Sequence, residues 1–182
     1  MHHSDFPIII KEANIREYIK DIEPMLRDLH QSEQELFNKT DDWENISENY
    51  LRHIIQMQEE CDGTCLLALH QNEVIGFIFG FTEDQDDSRI EKYTGKQLYI
   101  SDGYVKKPYR KKGVYRLLNI KIEAYYIAKG IRRIIRFTLS SNTRMMKFLE
   151  FEGYKATRIL YEKWLDIDGN KPIELRLSKP ED

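Results

Sequence analysis

Arg110-Lys111-Lys112-Gly113-Val114-Tyr115-Arg116 sets four positive charges within seven residues, around one glycine. Cationic side chains in such a cluster attract phosphate oxygens, and a residue without a side chain lets an anion approach the backbone. The flanks support that chemistry. Leu98 to Val105 reads as a strand, and Val114, Leu117, Leu118, Lys121, Ile122, Tyr125 and Ala128 recur at helical spacing. A helix start offers unpaired backbone N–H groups and the positive end of the helix dipole. Strand, short basic turn and helix together predict a pyrophosphate site.

The elements that position this turn come from the rest of the chain. Its 182 residues suffice for one domain, 1–182, burying roughly 70% of its unfolded surface. With 41% hydrophobic and 32% charged residues, the composition is that of a globular, soluble chain rather than a disordered one. The net charge of -3 argues against a protein built mainly to coat nucleic acid and against a nucleic-acid-binding domain that uses the 106–116 patch, so the basic run is local on an acidic background. No apolar run approaches membrane-spanning length and no secretory leader is evident, so the expected location is cytoplasmic, with no membrane partner. Cys61 and Cys65 read as isolated thiols, and His2 and His3 do not form a metal site.

In chain order, Phe6 to Ile10 reads as a short strand. Ile15, Ile19, Ile22, Leu26 and Leu29 mark a helix that Pro24 is expected to kink or split. Ser47 is the expected cap of a second helix carrying Tyr50, Leu51, Ile54, Ile55 and Met57. Thr64 to His70 and Glu73 to Phe81 predict a hairpin about Gln71-Asn72, and Gly76 and Gly80 leave one face thin enough for a bulge. Thr82 to Lys96 is polar; it reads as a solvated loop, or as an acidic rim drawing a cationic amine. Arg132 to Leu139 alternates, with Ile135, Phe137 and Leu139 on one face. Ser140, Ser141 and Asn142 offer caps for a helix from Thr143 to about Glu152, and Gly153 ends it. Lys155 to Leu165 and Ile173 to Leu177 read as a last hairpin around Asp166 to Asn170, a turn with only a hint of a calcium loop.

Val105-x4-Arg110-x-x-Gly113, followed by an amphipathic helix, resembles the acetyl-CoA-binding motif of the GNAT superfamily of N-acetyltransferases. Tyr115 stands where that motif has a second small residue, so it either crowds the turn or stacks beside the cofactor. Asn142 to Tyr154 resembles the second motif of the family: Asn142, Glu150, Gly153 and Tyr154 match, while Leu149 replaces the expected tyrosine. The resemblance covers nearly the whole chain. It implies an α/β (α+β) GNAT-like fold, a mostly antiparallel mixed sheet of about seven strands flanked by about four helices.

The implied reaction is transfer of acetyl from acetyl-CoA to a primary amine of a small molecule or protein, without a metal. Tyr104, Val105, Arg110, Lys111, Lys112, Gly113, Val114, Tyr115, Arg116, Asn142 and Phe148 are the implied cofactor contacts. Asp102 is the candidate base, or a carboxylate that orders the strand. Tyr154 is the candidate acid for the leaving thiolate, with Tyr104 and Tyr115 as alternatives. Ser101 and Leu149 motivate a second reading, an acyl-CoA-binding module with a sensing role. The sequence leaves the acceptor and the oligomeric state open, a homodimer included.

Overall fold

A computed structural model of the chain describes residues 7–85, 92 and 95–164. Within them, five strands form one mixed sheet: β1 (Ile9–Ala13), β2 (Thr64–His70), β3 (Glu73–Asp84), β4 (Lys96–Val105) and β5 (Ile134–Ile135). They lie in the order β1-β2-β3-β4-β5, antiparallel except for the parallel pair β4 and β5. Four α-helices complete the described part: α1 (Ile19–Gln34), α2 (Trp43–Glu60), α3 (Val114–Ala128) and α4 (Thr143–Phe151).

The central strands are apolar along their length because the sheet is covered on both faces. Phe77, Phe79 and Phe81 of β3 pack with Ile22, Met25 and Leu26 of α1 and Ile54 of α2. Ile75 and Ile78, facing the other way, join Leu118, Ile122 and Tyr126 of α3. Each side chain of this kind, fully buried, contributes about 1.5–3 kcal/mol. Gln71 and Asn72 both take positive φ, 50° and 65°, as a two-residue hairpin turn requires.

The glycines of β3 allow strand backbones to close up. A Cβ on Gly76 would lie 2.8 Å from the Tyr104 carbonyl oxygen, and one on Gly80 would lie 3.0 Å from that of Tyr99. Beside Gly80 the register slips: Phe79 faces Asp102 while Gly80 faces Ile100. Ser101 is therefore the extra residue of a bulge in β4, and such a bulge re-aims the neighbouring side chains.

Several expectations are corrected. The sheet has five strands among the described residues, not about seven: Lys155 to Trp164 carries no regular structure, and 173–177 and the 166–170 turn lie outside the described residues. Pro24 does not split α1. It is the sixth helical residue, so its missing N–H forfeits a single backbone bond near the start. α2 begins at Trp43 with Asp42 as its N-cap, four residues before Ser47, because burial of Trp43 draws the first turn into the core. The alternation at 132–139 also fails, since Phe137 is 76% exposed while Arg136 turns inward. The strand ends at Ile135, so the period-two pattern stops applying there.

Candidate active site

The turn after β4 is built from commitments that leave one surface open. A short 3-10 turn, Lys107–Tyr109, leaves β4 with Pro108 within it, and Lys111 and Gly113 then take φ of 63° and 79°. Arg110 folds back: its Nε donates to the Val105 carbonyl at 2.8 Å, and its guanidinium lies 4.8 Å from the centre of the Tyr104 ring. Lys106 and the Tyr109 hydroxyl both reach Glu73, at 2.9 and 3.0 Å, tying the turn to the β2–β3 hairpin. Gly113 is the N-cap of α3 and supplies no capping side chain; the helix has no acidic residue in its first turn. A Cβ there would meet nothing within 4 Å, so the helix start faces open space. Val114 is buried and presents only its backbone.

β4 itself has an open edge. β5 pairs with it only at Leu98 and Tyr99, so from Ile100 to Val105 the outer edge has no strand partner among the described residues. An unpaired edge of this length can accept an extended chain as an added strand.

On the α3 face of that edge, Tyr115 reaches back over β4. A Cβ on Gly103 would lie 2.9 Å from Tyr115 Cε2 and 3.1 Å from its hydroxyl. Arg136 Nη1 donates to that hydroxyl at 2.9 Å, and Nη2 donates to Asn119 at 2.8 Å. Asn119, fully buried, donates in turn to Glu123, which also accepts the Tyr154 hydroxyl proton. Burial, first, and Glu123 then push the Tyr154 phenol well above its ordinary value. Phe148 packs edge-on against Tyr115, with 5.1 Å between centroids. Asn142 accepts from the Met145 N–H as the cap of α4. Arg116 pairs with Glu152 at 2.7 Å and covers Phe151, bridging α3 to α4.

On the opposite face, Asp102 is buried, one oxygen accepting from Tyr50 and the other from the Ser101 hydroxyl at 2.6 Å. Burial raises its pKa, opposed by the hydrogen bonds from Ser101 and Tyr50 and by His53. Desolvation and the charge of Asp102 raise Glu33 on α1 in the same direction. Tyr104 also points to this side, its hydroxyl donating to Asp28 at 3.0 Å, so it offers the open edge only its backbone. Beyond Tyr99, an open cleft of about 600 Å³ runs between α2 and the far ends of β3 and β4. His53, Phe81 and Tyr99 line it, with Glu60, Glu83 and Asp84 at its acidic side.

The structure thus gathers Val105, Arg110, Lys111, Lys112, Gly113 and Val114 at one turn, and Tyr115 with Phe148 beside it. Arg116 and Asn142 serve contacts within the protein, and Asp102 and Tyr154 lie on opposite sides of the sheet. Sequence reasoning missed Arg136, hidden by the assumed alternation, and the role of Tyr50, which carries only the signal of a helical apolar position. Among the described residues no cluster of metal-ligating side chains occurs, and no helix is long and apolar enough to cross a membrane.

A helix start left open beside an unpaired strand edge is an arrangement able to seat a phosphate-bearing extended ligand. The profile of the acetyltransferase (GNAT) family matches residues 23–154, and the chain belongs to that family. Among curated proteins, none matches the chain in sequence. Solved structures share the fold. A tetramutant of the BH1408 protein from Bacillus halodurans is 18% identical with a TM-score of 0.68, over 86% of this chain and 99% of that one. The aminoglycoside N-acetyltransferase AAC(6')-Iy in complex with CoA is 16% identical with a TM-score of 0.62, over 90% and 99%. An aminoglycoside acetyltransferase from an uncultured soil metagenomic sample, in complex with trehalose, is 18% identical with a TM-score of 0.60, over 90% and 98%.

Proposed function

We propose that this protein transfers the acetyl group of acetyl-CoA directly to a primary amine held in the same complex. The observation that carries the reading is the open start of α3 at Gly113 next to the unpaired edge of β4 from Ile100 to Val105. The pyrophosphate rests on the backbone N–H groups from Gly113 onward, with Lys111 and Lys112 beside it. The pantetheine arm runs along β4 as an added strand, which brings the thioester to the bulge at Ser101. The CoA bound by AAC(6')-Iy, a protein of the same fold, supports this donor.

The amine enters from the α1 and α2 side through the cleft beyond Tyr99, whose acidic side attracts a cation. An ammonium must lose a proton before it attacks. Ser101, at the bulge, passes that proton to Asp102, whose raised pKa suits a group that must hold it. Most of the rate then comes from holding thioester and amine together. The chain acts as a single domain in the cytoplasm, a setting that fits the two free thiols of Cys61 and Cys65.

The test is a thermal melt with and without acetyl-CoA, followed by mass spectrometry of an amine library. A ligand that binds only the folded state at 100 times its Kd adds about 2.7 kcal/mol. Stabilisation together with an acetylated product supports the reading. Stabilisation without any product turns it into a binding module, and no response at millimolar acetyl-CoA overturns both.

A further inference from the structure

The cleft between α2 and the far ends of β3 and β4 is apolar along its wall and charged at one side. Met57, Phe81 and Tyr99 supply the wall, and the last two rings meet edge-on with 5.5 Å between centroids. Aromatic rings of this kind accept a methylene chain or a cation. Glu60, Glu83 and Asp84 stand at the acidic side. Lys96 also lines that end, but it faces Asp84 across the β3–β4 pair, so its charge is offset locally.

Glu83 is the carboxylate that the fold holds in place. It stands opposite Gln97, two residues from the facing pair Phe81 and Tyr99, so the strand period puts all four side chains on one face. Gln97 Nε2 donates to Glu83 Oε1 at 2.7 Å. Gln97 itself is 6% exposed, and its Oε1 is buried with no hydrogen-bond partner among the described residues. Buried acceptors in that state are rare, and a bound donor would satisfy this one. An ammonium carries three donors, which suits a carboxylate beside an idle amide oxygen.

The second acidic end of the wall is Asp102. Phe79 faces Asp102 and Glu83 faces Gln97, so the two ends lie four residues apart on β3, roughly 13 Å. Tyr99 lies between them. Burial, first, and then the charges of Asp102, Glu83 and Glu33 push its phenol up to about 12, so at neutral pH it offers a ligand an uncharged ring.

We propose that the acceptor is a long diamine: one amine reacts at the Ser101 bulge, and the second, still protonated, is held by Glu83 and Gln97. This rests on the acetyl-transfer reading above. An extended chain covers roughly 1.2 Å per bond, so about ten atoms separate the two nitrogens. Phe81 and Tyr99 line that apolar middle. At the reacting end the nitrogen gives one proton to Asp102 through Ser101 and forms the new C–N bond at the thioester carbonyl. The C–S bond breaks with its electron pair on sulfur, and coenzyme A ends as the thiol, carrying the second proton of that nitrogen. The product has one cation left. Turned round to react again, it has no ammonium for Glu83, so the singly acetylated diamine accumulates.

The experiment measures kcat/KM of wild type and Glu83→Gln for diaminodecane, diaminobutane and aminodecanol, which has a hydroxyl in place of the second amine. Wild type should prefer diaminodecane to the other two by roughly tenfold, and by less in high salt. Glu83→Gln keeps an oxygen for Gln97 to donate to, and its preference should shrink to within about twofold. Mass spectrometry should show one acetyl group per diamine. Equal treatment of the three acceptors by wild type, a preference that survives Glu83→Gln, or equally fast double acetylation overturns this inference and leaves the acetyl-transfer reading standing. The same holds if other amines are acetylated and these three are not. No acetylated product from any amine overturns both.

Discussion

The two faces of β4 solve different problems. The strand end and its turn spend most of their side chains on holding the chain: Arg110 on Val105, Lys106 and Tyr109 on Glu73, Arg116 on Glu152. What remains open there is the backbone of the helix start, with the exposed Lys111 beside it. Toward α1 and α2, the backbone is covered and the candidate reactive groups are side chains, with Asp102 buried between Tyr50 and Ser101. Backbone N–H groups bind any phosphate in the right place and carry no substrate identity. A buried carboxylate has its proton affinity set by everything around it. The difference implies that the two faces should fail separately: damage toward α1 and α2 should cost turnover, and damage at the turn should cost cofactor.

The sharpest way to separate them is Asp102→Asn. The amide keeps an acceptor for the Tyr50 hydroxyl, so the fold should survive. With no group to take the amine proton, kcat should fall roughly 100- to 1000-fold. The melting shift given by acetyl-CoA should be unchanged. If that variant turns over normally, the carboxylate merely orders the strand and the division between the faces is wrong.

Gly113→Glu is the converse. Its φ of 79° costs an ordinary residue about 1–2 kcal/mol, while the open space around it admits the side chain without collision. The new carboxylate stands where the pyrophosphate should lie, and like charges so placed cost several kcal/mol. CoA binding should therefore weaken by more than about 30-fold by calorimetry. Near-normal affinity in a folded variant would move the phosphate elsewhere.

How much of this could be read from the chain follows the same division. The turn is local: strand, cations, glycine and helix follow one another without interruption from Lys96 to Ala128, and the positive φ of Gly113 explains why that residue is a glycine. The carboxylate site is assembled from distance. Tyr50 and Asp102 are 52 residues apart, and no spacing rule pairs a helical tyrosine with a strand aspartate. Arg136 was concealed by extending the alternation of Ile134–Ile135 past the strand's end. The count of about seven strands failed for a related reason: apolar residues such as Ile159, Leu160 and Tyr161 are 74–87% exposed and join no described sheet. Apolar character alone does not make a strand without a partner to pair with.

A third comparison sets Asp102 against its own partner. Tyr50→Phe removes one of the two donors to a buried carboxylate, and should cost about 1–3 kcal/mol of stability at neutral pH in urea unfolding. The pH dependence sharpens it. Because burial raises Asp102 above its ordinary value of 3.8, the folded state binds that proton more tightly than the unfolded state does. The stability this group contributes is full below pH 3.8 and is lost as pH rises toward its raised value. Wild type should thus lose stability relative to Asp102→Asn as pH rises from about 4 toward neutrality. A difference that stays flat over that range would mean that the carboxylate is not desolvated.

The smallest effect belongs to Arg116, and it tests the turn from within. Arg116 carries one of the four charges of the basic run, yet its Nε is 2.7 Å from Glu152, whose side chain is 7% exposed. Removing the arginine leaves that carboxylate covered and unpaired. The arginine itself is 55% exposed, so the loss lies between that of a surface pair and that of a buried one. Arg116→Met, which keeps an apolar stem over Phe151, should cost about 1–2 kcal/mol in urea unfolding, less in high salt. CoA affinity should stay within about threefold, because the cation is already committed to α4. Lys111→Ala, exposed beside the open helix start, should do the opposite: little change in unfolding and a measurable loss of CoA affinity that shrinks with salt. If Arg116→Met instead weakens CoA and leaves stability alone, Arg116 leaves Glu152 when the cofactor arrives, and the α3 side of β4 has a binding group that its present hydrogen bonds conceal.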